Sequence, residues 1–250
     1  MKYKIIVLIF FSIFIKISAT EQEPDRIKID GTEYDLLNNP FEKYLEKNID
    51  VYNKLDKLKI DKDGNKQIST GNYRGYIATY ELKDSILYLV ELVIPDPNSD
   101  FEKNISVFKQ IFGEKKLINL NYTGILEIPI GKLIESYNFG YSSLYESYKL
   151  VTIKNDNVEK LKELSRQDYQ NFKLKQFKEF QKTDEYKRRI IEQRKISREN
   201  LIPDEMWSNT SDSEKEILKL SFPKKGKKAR KENENFIFLM GNFDFIIVDY

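Results

Sequence analysis

Residues 73–94 read YRGYIATYELKDSILYLVELVI, and this stretch decides the fold. Tyr76, Ala78, Tyr80 and Leu82 fall on alternate positions, the period of a half-buried strand. Ile86 to Ile94 is almost continuously apolar, as in a central strand covered on both faces. Lys83-Asp84-Ser85 between them supplies a hairpin turn, and Pro95 and Pro97 stop the second strand. A strand hairpin therefore anchors the chain.

Strand signals continue outward on both sides. Asp25 to Ile29 alternates, Asp30-Gly31 offers a tight turn, and Thr32 to Leu36 alternates again. Asn39-Pro40-Phe41-Glu42 predicts a helix start: Asn39 caps, Pro40 takes the first helical position, and Glu42 reaches back to the cap. Downstream, Ser99 opens an expected helix with Phe101, Ile105, Phe108 and Ile111-Phe112 on one stripe, closed by Gly113. Further strands are expected at 116–120, 123–128, 133–139 and 144–154. The expected class is α+β: a mostly antiparallel sheet with one or two packed helices.

The character changes after residue 157. Residues 158–200 hold 13 basic and 8 acidic groups and no Gly or Pro. Val158, Leu161 and Leu164, then Phe172, Phe177 and Phe180, suggest an imperfect helical stripe. Thr183 with Asp184 and Glu185 reads as a helix restart. Pro203 opens a short turn carrying Trp207, and Ser211 to Glu214 forms a capping box. A basic loop follows. Residues 235–240 and 243–249 then read as a hairpin around Gly241-Asn242 that returns to the sheet. The expected organisation is a β-rich α+β domain over 20–157, a charged helical region over 158–221, and a basic loop with a C-terminal hairpin over 222–250.

Residues 1–19 read as a signal peptide. Lys2 and Lys4 form a basic start, Ile5 to Ile15 an apolar run, and Ile17-Ser18-Ala19 a small-residue cleavage site. Export to the periplasm or outside the cell is the expectation, with an uncleaved anchor as the alternative. The segment holds three Lys and no acid, so the chain from Thr20 carries 39 basic and 40 acidic groups. The small positive charge of the whole chain belongs to the segment expected to be removed.

The 250 residues contain no His and no Cys. That excludes an imidazole base, a Ser-His-Asp triad, a thiol nucleophile, a disulfide and an Fe–S cluster. Carboxylates, Lys, Tyr, Ser and Thr remain for chemistry, and oxygen ligands remain for metals.

Asp61, Asp63 and Asn65 sit at calcium-loop positions 1, 3 and 5. Lys66 occupies the glycine position and Asn72 the bidentate-acid position, so the stretch reads as a solvated turn and no metal is expected. Ser106-x-x-Lys109 and Ser221-x-x-Lys224 match a Ser-Lys spacing, but two such matches arise by chance at this composition. Glu81 and Glu91 lie on neighbouring strands and are the first candidates for a glycosidase-like carboxylate pair, although 23 acids over 20–157 make some pairing by accident expected.

Two binding candidates stand out. One is aromatic: Tyr73, Arg74 and Tyr76 at the start of the first strand, with Tyr141 and Tyr145 beside Gly140. Arg74 is one of two arginines between 20 and 157, able to stack on a ring and clamp a carboxylate or carbonyls. The plainer reading is a structural arginine tying the hairpin to the sheet. The other candidate is basic: Lys224, Lys225, Lys227, Lys228, Arg230 and Lys231, suited to weak contact with an anionic membrane surface. No aromatic interleaves it, so nucleic acid is not an expected partner.

Three segments carry a resemblance. They are Gly31-x-x-Tyr34-x-Leu36-x-x-x-Pro40-Phe41-Glu42-x-Tyr44; Ser69-Thr70-x-x-Tyr73-Arg74-Gly75-Tyr76-Ile77-Ala78-Thr79-Tyr80-Glu81; and Tyr122-Thr123-Gly124-Ile125-Leu126-x-Ile128-Pro129-x-Gly131-Lys132 with Gly140-Tyr141-x-Ser143-x-Tyr145-Glu146. Over about 25–155 the chain resembles a family of functionally uncharacterised bacterial proteins. That family usually carries Trp where Tyr73 stands. The resemblance implies no activity, cofactor or catalytic residue. The functional expectation is an exported, non-catalytic protein that binds another macromolecule, with protein as the partner and no cofactor. The alternatives are a carboxylate-dependent hydrolase and an envelope-associated structural protein.

Overall fold

A computed structural model describes residues 22–66, 69, 71–99, 103–136, 141, 143–188, 190–191 and 250. In chain order the elements are β1 (Asp25–Ile29), β2 (Thr32–Leu36), α1 (Pro40–Lys47), α2 (Ile49–Leu58), β3 (Ile77–Lys83), β4 (Ile86–Pro95), β5 (Asn104–Ser106), α3 (Phe108–Phe112), β6 (Gly124–Glu135), β7 (Leu144–Lys154), β8 (Asn157–Ser165) and α4 (Arg166–Phe180). They build one eight-stranded sheet in the order β2-β1-β3-β4-β8-β7-β6, with β5 on β4. β1 and β3 run parallel, and every other strand pair is antiparallel. The protein is α+β.

Three hairpins use the same turn chemistry. Asp30-Gly31, Asp84-Ser85 and Asn155-Asp156 all have positive φ at both central residues. That turn matches the right-handed twist of the flanking strands, and Asp and Asn tolerate it through local hydrogen bonds. The Asp156 carboxylate also accepts from the backbone of Asn121 and Tyr122, at 2.8 Å each, tying the β7–β8 turn to the loop before β6.

The sheet curls until its ends meet. β2 and β6 are in contact, and just beyond β2 the Leu37 N–H donates to the Glu127 carbonyl at 2.9 Å. Asn38 Oδ1 accepts from the Glu127 N–H. The thinnest seam is β4–β8, held by the Ile86–Asn157 pair, by Leu87 N–H to Asp156 O and by Val158 N–H to Ser85 O. The inner face buries Ile27, Phe41, Tyr80, Leu87, Leu89, Leu92, Ile94, Leu126 and Val151. α1 and α2 contribute Phe41, Leu45 and Leu55 to it, and α3 adds Phe108 and Ile111. A second core on the other face of β6 and β7 joins Ile125, Tyr148 and Leu150 to Tyr169 and Phe172 of α4. A β-bulge between Thr79 and Tyr80 explains why Leu89 and Leu92, three residues apart, both face inward.

Several elements differ from expectation. Residues 157–165, read as the start of a helical stripe, form strand β8. A register shift against β7 between Thr152 and Ile153 interrupts the alternation of β8, so Val158 packs on the inner core and Leu164 in the second core on the other face, while Leu161 between them is 49 % exposed. The long helix expected from Ser99 to Phe112 is only the five-residue α3, preceded by β5 on the edge of β4. The expected strand at 123–128 and the start of the one at 133–139 are one strand, β6, with register shifts on either side of Leu133, and residues 137–139 lie outside the described residues. Asn39 is the N-cap residue of α1 but makes no side-chain cap bond; its Oδ1 accepts instead from the Tyr141 hydroxyl at 3.1 Å. The restart at Thr183 is present as a helical segment over 184–188, with the Tyr186 N–H donating to Thr183 Oγ1.

The expected signal peptide, the capping box at Ser211, the basic loop and the hairpin over 235–249 lie outside the described residues. Tyr250 is described: its hydroxyl lies 2.7 Å from Thr152 Oγ1, and its ring meets Phe172 edge-on. Among the described residues, no helix is long and apolar enough to cross a membrane.

Candidate functional site

The site starts from a buried charge. Asp25 opens β1 with its side chain fully buried. Arg74 Nη1 donates to its Oδ1 at 2.8 Å, the Ala78 N–H to the same oxygen at 3.0 Å, and the Tyr80 hydroxyl to Oδ2 at 3.1 Å. Burial pushes the Asp25 carboxyl above its ordinary range, against the pull of Arg74 and these hydrogen bonds. Arg74 Nη2 donates to the Glu23 carbonyl at 2.8 Å, and the guanidinium lies 5.1 Å from the Tyr76 ring centroid. The Tyr80 hydroxyl in turn accepts from the Phe41 N–H at 3.0 Å, so this network also fixes the first turn of α1.

The turn that carries Arg74 forms one wall of a groove. Gly75 has φ +66°, and a Cβ there would lie 3.2–3.5 Å from the outer atoms of the Lys59 side chain. The bare backbone lets Lys59 lie across the turn. Its Nζ donates to the Arg74 carbonyl at 2.6 Å and sits 5.4 Å from the Tyr76 ring centroid. Burial, then Lys66 and Arg74, hold the Lys59 amine down at about 8.

α1 and α2 form the opposite wall. Glu42, Leu45 and Glu46 from α1, with Ile49, Tyr52 and Asp56 from α2, face the turn across about 500 Å³. Asp56 pairs with Lys66 at the rim. Three large apolar side chains on this groove stay in water: Ile49 is 62 %, Tyr52 43 % and Tyr73 54 % exposed. Two further clefts, one beside Lys43 and Tyr122 and one beside Glu23, Tyr141 and Tyr145, contain none of the exposed large apolar residues.

The expected aromatic cluster divides between these places. Tyr73 lines the groove, whereas Arg74 and Tyr76 are buried beneath it. Tyr141 and Tyr145 line the separate, roughly 320 Å³ cleft. The Tyr141 hydroxyl there lies within reach of Asn39 Oδ1 and of the Glu23 carbonyl. The Tyr145 N–H donates to the Tyr148 hydroxyl at 3.1 Å. Lys224, Lys225, Lys227, Lys228, Arg230 and Lys231 lie outside the described residues.

Other candidates have ordinary partners. The register sets Glu91 opposite Thr79 and Glu81 opposite Tyr88, so the two acids are not cross-strand partners. Glu91 Oε1 accepts from Ser106 Oγ and from the Leu92 N–H. Lys109 pairs with Glu114. Asp61 Oδ1 accepts from the N–H groups of Asp63 and Asn65, the pattern of a self-closed turn. Among the described residues, no group of three or more Asp or Glu is placed to hold a metal.

Sequence reasoning missed Ile49, Tyr52 and Lys59. A signal existed: in α2 the buried stripe runs through Val51, Leu55 and Leu58. Ile49 and Tyr52 form a second apolar pair off that stripe.

No protein-family model, curated protein or solved structure matches the chain.

Proposed function

We propose that this is an exported, non-catalytic binding protein whose recognition surface is the groove between α1–α2 and the Tyr73–Tyr76 turn. The partner is a protein that presents an extended segment with apolar side chains. One observation carries this reading: Ile49, Tyr52 and Tyr73, all substantially in water, converge on a single concave surface. Exposed aromatic and aliphatic groups gathered on one concavity supply contact energy when a partner dehydrates them. The rigid Arg74–Asp25 network beneath holds the turn in place before binding, so little ordering is required of this side. Glu42 and Glu46, one helical turn apart on the same wall, favour a basic residue beside the apolar anchors.

The test is selection from a displayed peptide library on the immobilised protein. Selected sequences are expected to share two apolar or aromatic anchors flanked by Lys or Arg. They should lose at least tenfold in affinity for Ile49→Asp and Tyr73→Ser variants of unchanged melting temperature. Selection of no saturable ligand, or ligands indifferent to both substitutions, would overturn the reading.

A further inference from the structure

We propose that Lys59 is a carbonyl-capture site, at which its side-chain amine condenses with a small apolar aldehyde seated in the groove to give a reversible imine. This goes beyond the binding reading: it uses the same groove but needs no protein partner. The nitrogen lone pair attacks the carbonyl carbon, a proton passes from nitrogen to oxygen, and loss of water leaves the C=N bond. No oxidant or reductant takes part.

Three observations carry it. First, the amine lines a concave volume of about 500 Å³, within the size range that holds small ligands. Ile49, Tyr52 and Tyr73 on the same groove offer an aldehyde's aryl or alkyl body a place to dehydrate.

Second, the neighbours of Nζ leave the neutral amine competent. It donates to the Arg74 carbonyl at 2.6 Å and faces the Tyr76 ring, and neither contact uses the lone pair. Among the described residues Lys59 makes no ion pair, and the nearby Asp56 carboxylate is taken by Lys66. The charged groups around it are Lys66 and Arg74, which disfavour a further cation, and Asp56, which favours one. Glu42 and Glu46 line the far wall. With the amine held at about 8, roughly one in ten molecules is neutral at pH 7, against about one in three thousand for an ordinary lysine.

Third, Gly75 keeps the approach open. A side chain there would crowd the outer Lys59 carbons and Nζ at 3.2–3.5 Å.

The experiment treats the full chain with benzaldehyde and cyanoborohydride at pH 7 and maps labelling at each lysine. Lys54 and Lys57, exposed on the same helix, are the internal comparators. Lys59 is expected to label at least tenfold faster than either, and its advantage should shrink with formaldehyde, which has no body to seat. Equal rates at Lys59, Lys54 and Lys57 would overturn the proposal. Because Gly75→Ala, the obvious blocking variant, strains the backbone, a second reading uses the unaltered protein. Trace acetylation against pH should show a half-maximal rate near pH 8 at Lys59 and near pH 10 or above at the comparators. A midpoint near pH 10 at Lys59 would overturn the proposal. So would a midpoint near 8 with no preference for benzaldehyde, which would mean an activated amine without a seat for the aldehyde. Neither failure touches the peptide-binding reading, which is measured without aldehyde.

Discussion

Arg74 and Asp25 form an ion pair 2.8 Å long whose side chains are only 2 % and 0 % exposed. It joins the first strand to the turn that walls the groove, across 49 residues of chain. Arg74, a binding candidate in the sequence, thus lies buried at the base of the groove. Of its neighbours in the turn, Tyr73 is exposed and Tyr76 is buried under the guanidinium.

Breaking this pair on one side leaves a buried charge alone. Arg74→Ala and Asp25→Ala are each expected to lower stability by about 3–5 kcal/mol. Arg74→Lys keeps the charge but loses the second donor that reaches the Glu23 carbonyl and the flat face over Tyr76. It should also lower the denaturant midpoint, by less than Arg74→Ala. A Lys variant with wild-type stability would count against the structural role.

Gly75 and Gly31 both adopt positive φ, at +66° and +77°, but only Gly75 has Lys59 beside it. Gly31→Ala should cost about 1–2 kcal/mol from backbone strain alone. Gly75→Ala should cost more, because strain and crowding add. Thermal melts of the two variants compare them directly.

Lys59 gives stability a specific pH dependence. Its folded-state amine titrates at about 8, below its ordinary 10.5. Between those values the unfolded chain holds a proton that the folded chain has released. Raising the pH through this window therefore favours folding. Above about pH 10, tyrosines of the unfolded chain ionise while Tyr148, held up to about 12 by burial, does not, and stability falls again. Chemical denaturation between pH 8 and 9.5 should show wild type gaining stability relative to Lys59→Met. Parallel curves would contradict the assignment.

One carboxylate carries the polar contacts of α4 with β6, beside the apolar packing of Tyr169 and Phe172 on the sheet. Glu127, buried on β6, accepts from the Tyr169 hydroxyl and from Lys173 Nζ at 2.7 Å. The Tyr169 ring stacks on Tyr148 with 3.6 Å between centroids. Tyr169→Phe keeps the stack and loses a hydrogen bond to a buried charge, so it should cost about 1.5–3 kcal/mol. Hydrogen exchange should quicken in α4 more than in β3 or β4.

The local signals of the fold were legible where pattern and burial coincide. The β3–β4 hairpin, the Asp30-Gly31 turn and the start of α1 at Pro40 follow from alternation and turn chemistry. β8 was not legible, because a register shift against β7 breaks its alternation and sends Val158 and Leu164 to opposite faces, so that pairing with β7, not period, makes it a strand. The stripe through Phe101, Ile105 and Phe108 misled for a related reason: Ile105 belongs to an edge strand on β4 and is partly exposed. The groove was half legible. Tyr73 was visible in the sequence, but Ile49, Tyr52 and Lys59 meet it only because α2 runs beside the turn. That proximity depends on long-range contacts, the Arg74–Asp25 pair among them.

The most direct test of the binding groove is amide hydrogen exchange of the full chain with and without a saturating selected peptide. Protection should concentrate in residues 42–59 and 71–76, with little change over β6 and β7. Protection centred instead on the Tyr141–Tyr145 cleft or on the Leu133–Ile134 end of β6, with residues 42–59 unchanged, would contradict the account.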